Sequence, residues 1–130
     1  RALSRADVAD LLEAVGQPNT AVEEARIRSR FGGLADELIA EQRPFIAPSP
    51  EEWEARKRRV LDQWDAVQRI AATVPEPEVV AGWLETVGGP TTTAELGFTA
   101  EEEANAQGYA HYLRDRFTVR KLVEMLGIAP

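Results

Sequence analysis

The sequence contains no cysteine and a single histidine, His111. The first absence excludes a disulfide framework and any thiolate metal site. The second leaves no His-x-x-x-His pair and no second imidazole for a metal site of converging N, O or S side chains. Methionine occurs once, and aromatic residues make up 7% of the 130 positions. Basic residues are in the minority, 15 against 22 acidic, for a net charge of −7. That balance argues against nucleic-acid binding, which needs clustered excess cation. No apolar run approaches the roughly 20 residues that span a bilayer, and no apolar signal segment opens the chain. A cytoplasmic protein without a membrane span is the expectation. The chain opens on Arg1 rather than Met, which predicts a processed product or a longer parent.

Hydrophobic residues account for 44% of the chain, enough to build a core, and the length fits one domain. The expectation is therefore a single helical domain over residues 1–130. Nearly every segment repeats at the helical period and none alternates as a strand does. The pattern predicts an all-α antiparallel bundle of about six helices. Ser4 caps a first helix whose apolar face is Val8, Leu11, Leu12 and Val15. Ile27, Phe31, Leu34 and Leu38 then share one stripe that runs through Gly32-Gly33. This predicts one helix from about Val22 to Arg43, weakened by roughly 1 kcal/mol per glycine, with a kink or two shorter helices as the alternative.

Pro44, Pro48 and Pro50 mark the next stretch as a loop. Ser49, Pro50 and Glu52 form a capping box, opening a long helix to Val74 that serves as the spine of the bundle. Its face is Trp53, Val60, Trp64, Val67, Ala71 and Val74. A further helix over 77–87 carries Val79, Val80, Trp83, Leu84 and Val87, a wide apolar face that predicts deep burial. The tryptophans Trp53, Trp64 and Trp83 read as core anchors. Thr92 with Glu95, and Thr99 with Glu102, are two more capping boxes, the second opening a helix to about Leu113. Thr118 caps the last helix. Helices before Pro44 are expected to be the least protected part of the fold.

Residues with chemistry are few. His111 reads as packing or surface, not as a ligand. Gly32-Gly33 and Gly88-Gly89-Pro90 do not follow a strand, so neither fits a dinucleotide cradle. Acidic pairs stand at helix starts, where the dipole alone favours them. The basic run Arg56–Arg59 is flanked by Glu51, Glu52, Glu54, Asp62 and Asp65, and reads as a solvated, salt-bridged face. Arg114 and Arg116, in Arg-Asp-Arg-Phe-Thr, suit a helix end, with Phe117 stapling the helix that follows. No catalytic, cofactor-binding or metal-ligating residue is assigned.

From Trp83 to Gly127 the order is a helix ending in a Gly pair, a Pro-Thr turn, the short Ala-Glu-Leu-Gly element, a helix, Arg-Asp-Arg-Phe-Thr and a last helix. This order resembles the C-terminal end of sn-glycerol-1-phosphate dehydrogenases. They belong to the superfamily of iron-containing alcohol dehydrogenases and dehydroquinate synthase-like enzymes. The likeness is best over Val80–Gly127, weaker over Phe31–Pro44 (FGGLADELIAEQRP) and faint around Trp64. It implies a dehydroquinate synthase-like alpha domain, the C-terminal part of a longer NAD(P)-dependent, metal-dependent oxidoreductase.

The resemblance implies a zinc or iron held by an Asp and two His at the base of the helical domain, just upstream of Arg1, and a nicotinamide cofactor gripped by a missing N-terminal nucleotide-binding domain. The helical part would form one wall of the active-site cleft, with Arg114 and Arg116 as candidate cleft-facing residues, and would be inactive alone. A homo-oligomer through a helical face is a further partner it allows. Two other readings stay open: a free-standing helical interaction module, and a degenerate relative that kept the scaffold without catalysis.

Overall fold

Side-chain caps set where most of the helices begin. The computed structural model describes residues 3–128. Among these residues there are eight α-helices and no strand, the all-α architecture that the periodicity implies. They are α1 (Arg5–Ala14), α2 (Thr20–Phe31), α3 (Ala35–Ile46), α4 (Pro50–Asp62), α5 (Trp64–Ala71), α6 (Pro77–Thr86), α7 (Ala100–Tyr109) and α8 (Val119–Met125). Short 3-10 turns cover Gly32–Leu34, Ala94–Leu96 and Ala110–Leu113.

The expected caps form. The Ser4 hydroxyl accepts from the Asp7 amide at 3.2 Å while the Asp7 carboxylate accepts from the Ser4 amide at 2.7 Å. Ser49 and Glu52 repeat that reciprocal pair at 3.2 and 2.7 Å, Thr99 and Glu102 at 3.2 and 2.8 Å. Thr92 and Glu95 do the same around the Ala94–Leu96 turn. Each pair satisfies amides that a helix start leaves without partners.

Two expected helices are interrupted. The single helix over 22–43 is instead α2 and α3, broken where Gly32 takes φ 50°, ψ −118°. A side chain would strain that conformation, so the first glycine breaks the helix rather than merely weakening it. α3 then runs past Pro44 to Ile46, correcting the loop expected there. Proline removes one amide donor, and the ladder resumes with the Ala47 amide on the Arg43 carbonyl at 3.0 Å. The spine helix is interrupted at Gln63, where the chain turns once between α4 and α5.

The chain divides into two compact units. The first runs to Trp64 and resumes at Tyr109; the second is Asp65–Gly108. In the first, Ile27, Ala35, Leu38, Ile39, Ile46 and Tyr112 form a continuous core, with Phe31, Ala47 and Tyr109 packed on it. α1 packs on α4 and contributes the buried Val8 and Leu12. Trp53, Val60 and Trp64 are buried as their stripe implies, and the Trp64 indole N–H donates to the Leu3 carbonyl at 3.1 Å.

In the second unit none of the residues is buried. Thr93 Oγ1 donates to the Glu103 carboxylate at 2.7 Å, joining the Ala94–Leu96 turn to α7. The burial expected for α6 does not occur: Trp83 is 58% and Val87 79% exposed. The far end of the spine stripe is likewise open, with Val74 66% exposed. An apolar stripe shows that a helix can be covered, not that its own unit covers it. This unit has eight acidic residues against one basic, Arg69, and so carries the whole net charge of −7. The buried residues lie from α1 to Trp64, in the Ala110–Leu113 turn and at α8, and none in 77–108, which argues against the lower protection expected of 5–43 than of 77–126. No helix among the described residues is long and apolar enough to cross a membrane.

Candidate functional site

α3 presents Ala35, Leu38, Ile39, Gln42 and Ile46 to the core, and Gln42 is the one polar residue in that stripe. It lines a cavity of about 150 Å³ within the first unit. Phe45, Trp53, Tyr112, Phe117 and Met125 give the cavity its apolar wall, and Glu23, Arg56, His111, Lys121 and Glu124 its polar groups. The break at Gly32 folds α3 back on α2, which brings Glu23 to the same space.

Gln42 is fully buried. Its Nε2 donates to the Arg114 carbonyl at 2.9 Å, and its Oε1 has no partner. A carbonyl can only accept, so the amide orientation is fixed and the unpartnered atom must be the oxygen. Lys121 is buried too; its Nζ donates to the same Arg114 carbonyl at 2.7 Å and stands 3.7 Å from the Phe45 ring centroid. Arg56 donates to the Pro44 carbonyl, with its guanidinium 5.0 Å from that same ring centroid. Phe117 stacks on Phe45 at 6.4 Å, so its contact is with α3. Burial, then nearby Arg56, lowers Lys121 to about 8 against the pull of Asp115.

His111 is buried, its ring centroid 4.0 Å from that of Tyr112, and its Nδ1 has no partner. Burial first, then the charges of Arg120, Arg26 and Lys121, hold the imidazole down to about 4 against Glu23. At neutral pH it is uncharged. The Tyr112 hydroxyl donates to the Glu23 carboxylate. Burial, and then that bond, raise the phenol above its usual range, so it stays protonated.

The sequence signals for this site were partial. The sequence reads His111 as packing or surface, and in the structure it is a buried polar part of the cavity wall. Arg56 belongs to a run expected to be solvated; Lys57 does pair with Glu54 at 2.6 Å, but Arg56 turns to the cavity. Arg114 and Arg116 are exposed, and it is the Arg114 backbone that joins Gln42 and Lys121. The sequence assigns no site role to Gln42, Tyr112 or Lys121, and reads Glu23 only as a helix-start carboxylate. The readable sign was Gln42, a polar residue inside an otherwise apolar stripe.

Among the described residues, no set of side chains fits a metal ion and no backbone cradle fits a nicotinamide cofactor. No group of three or more His, Cys, Asp or Glu side chains that could hold a metal occurs among the described residues. Without a strand among them, no strand–turn–helix cradle exists for a pyrophosphate.

These features define an all-helical protein segment with a small cavity of mixed polarity and an uncovered apolar helix. Three curated relatives match part of the chain, each a glycerol-1-phosphate dehydrogenase (NAD(P)+). That of Bacillus licheniformis is 34% identical over 65 residues, 50% of this chain and 16% of the relative. That of Bacillus subtilis is 39% identical over 59 residues, 45% of this chain and 15% of the relative. That of Bacillus velezensis is 37% identical over 54 residues, 42% and 14%. Over about half its length, the chain is related to this family, and the matched stretch spans about one-sixth or less of the relatives. No protein-family model and no solved structure matches.

Proposed function

We propose that the chain is the C-terminal helical part of an NAD(P)-dependent, metal-dependent glycerol-1-phosphate dehydrogenase-like oxidoreductase. In this reading residues 1–130 form a single helical domain that walls one side of the active-site cleft and is inactive alone. The observation that carries it is the 34–39% identity, over 54–65 residues, to three glycerol-1-phosphate dehydrogenases (NAD(P)+). The exposed face of α6 supports it, because a stripe of Val79, Val80, Trp83, Leu84 and Val87 left in water calls for a covering partner. An N-terminal nucleotide-binding domain is that partner, with the cofactor and the metal both held mainly by residues upstream of Arg1. The exposed guanidiniums of Arg114 and Arg116 are then available to the cleft.

The test is to read the coding sequence upstream of Arg1 and assay the complete product. Oxidation of glycerol 1-phosphate with NAD(P)+, followed by absorbance, is expected from the complete protein and not from residues 1–130. Replacing Arg114 and Arg116 together by Ala in the complete enzyme is expected to impair it. An upstream frame without a Gly-rich strand–turn–helix or an Asp/His/His ligand set would overturn the reading.

A further inference from the structure

The cavity of the first unit contains two cations that form no ion pair among the described residues, although Asp115 acts on Lys121 and Glu52 on Arg56 from further off. Lys121 and Arg56 hydrogen-bond only to backbone carbonyls, those of Arg114 and Pro44. Neither is within ion-pair distance of a carboxylate among the described residues. The two carboxylates that also line the cavity are already engaged. Glu23 holds the Tyr112 hydroxyl and Arg26, and Glu124 holds Arg120 at 3.0 Å. Both cations approach the Phe45 ring, so like charges converge on one side of the space. Charge held in a cavity without a directly paired counter-ion is costly, and a bound anion relieves it.

Two further atoms describe the rest of a ligand. His111 Nδ1 and Gln42 Oε1 are buried and unpartnered. The neutral imidazole can carry its proton on Nδ1 and donate to an oxyanion, whereas Gln42 Oε1 can only accept. The apolar wall of Phe45, Trp53 and Phe117 excludes a fully hydrated ion and suits a compact apolar body. About 150 Å³ is the size of cavity that takes one benzene-sized molecule.

We propose that this cavity binds a small organic carboxylate of about benzene size that also carries one hydrogen-bond donor. The carboxylate lies by Lys121 and Arg56 and accepts from His111 Nδ1–H. The apolar body packs on Phe45 and Trp53, and the donor satisfies Gln42 Oε1. The site lies within the first unit and needs neither nicotinamide nor metal, so it stands or falls apart from the dehydrogenase reading.

Calorimetric titration of the 130-residue chain at pH 7 tests it with four probes: 3-hydroxybenzoate, benzoate, benzyl alcohol and inorganic phosphate. Saturable one-to-one binding of 3-hydroxybenzoate is expected. Benzoate should bind several-fold more weakly, and the alcohol and phosphate about tenfold or more weakly, the loss of a charge-assisted bond. Lys121→Met should weaken hydroxybenzoate by a similar factor with an unchanged circular dichroism spectrum. If that variant unfolds, Arg56→Gln on the half-buried rim replaces it with the same expectation. No saturable binding, equal binding of the alcohol or of phosphate, or wild-type affinity in the folded variant would each overturn the proposal.

Discussion

The Tyr112 hydroxyl donates to the carboxylate of Glu23, across 89 positions of sequence. Tyr112 is 1% exposed, and its ring belongs to the core cluster with Ile27 and Ile39. One side chain therefore serves as apolar filling and as a polar tie between α2 and the Ala110–Leu113 turn. Tyr112→Phe keeps the filling and leaves the carboxylate short of a donor. A loss of about 1–3 kcal/mol is expected in urea unfolding. In a double-mutant cycle with Glu23→Gln, the pair should be coupled by about 1 kcal/mol or more. Independent, additive effects would show that the tie contributes nothing.

The tryptophans should separate by unit. Trp64 is 7% exposed and its indole N–H is bonded to the Leu3 carbonyl. Trp64→Ala should cost on the order of 3–5 kcal/mol, through lost burial and an unpaired carbonyl. Trp83→Ala, at a position 58% exposed, should stay within about 0.5 kcal/mol in this chain. A Trp83 variant as damaged as the Trp64 one would mean that α6 is covered in solution.

Gly32 and Gly33 should respond oppositely to the same change. Gly32 has φ 50°, a conformation that Ala adopts only with strain, so Gly32→Ala should destabilise by about 1–2 kcal/mol. Gly33 has no positive φ, and a Cβ built there meets nothing within 4 Å. Gly33→Ala should stabilise by roughly 0.4–1 kcal/mol through the unfolded chain. Thermal melts of both variants check the pair, and a matching sign would contradict the turn geometry.

Amide exchange should follow the same division. The core residues of α1–α4 are expected to exchange through global unfolding, and those over 77–108 through smaller openings, because no side chain there is buried. Equal protection of the two stretches would refute that.

The local features of the fold were legible because their causes are local. Ser49 with Glu52, and Thr99 with Glu102, satisfy amides three residues away, so spacing alone finds them. The Gly32 break was harder. The apolar stripe continues across it from Ile27 to Leu38, and periodicity does not record φ. Pro44 misled in the other direction, since one missing amide near a C-terminus does not stop a helix whose Phe45 and Ile46 pack inward. The exposure of α6 and the cavity were not legible, because both depend on which distant surfaces meet. Lys121, Gln42 and the Arg114 carbonyl meet only in three dimensions.

Stability should fall as pH drops from about 6.5 towards 4, and His111 is the reason. Its ordinary value is 6.5, and in the folded chain burial lowers it to about 4. Between those values the unfolded chain binds a proton that the folded chain does not, so acidification favours unfolding. The contribution is fully present above 6.5 and is lost as pH falls through about 4. With allowance for solvent in a partly open cavity, its size is on the order of 2 kcal/mol. The capping carboxylates Asp7, Glu95 and Glu102 act in the same direction but lower. Hydrogen bonds from Ser4, Thr91 and Thr99 hold them below the usual carboxylate range, so their loss comes in more acid solution. Urea midpoints between about pH 5.5 and 7, above the range in which the carboxylates of the unfolded chain take up protons, therefore isolate the imidazole. His111→Gln should flatten that slope, since an amide does not titrate. An unchanged slope in a folded His111→Gln variant would mean that the imidazole is not buried in its neutral form.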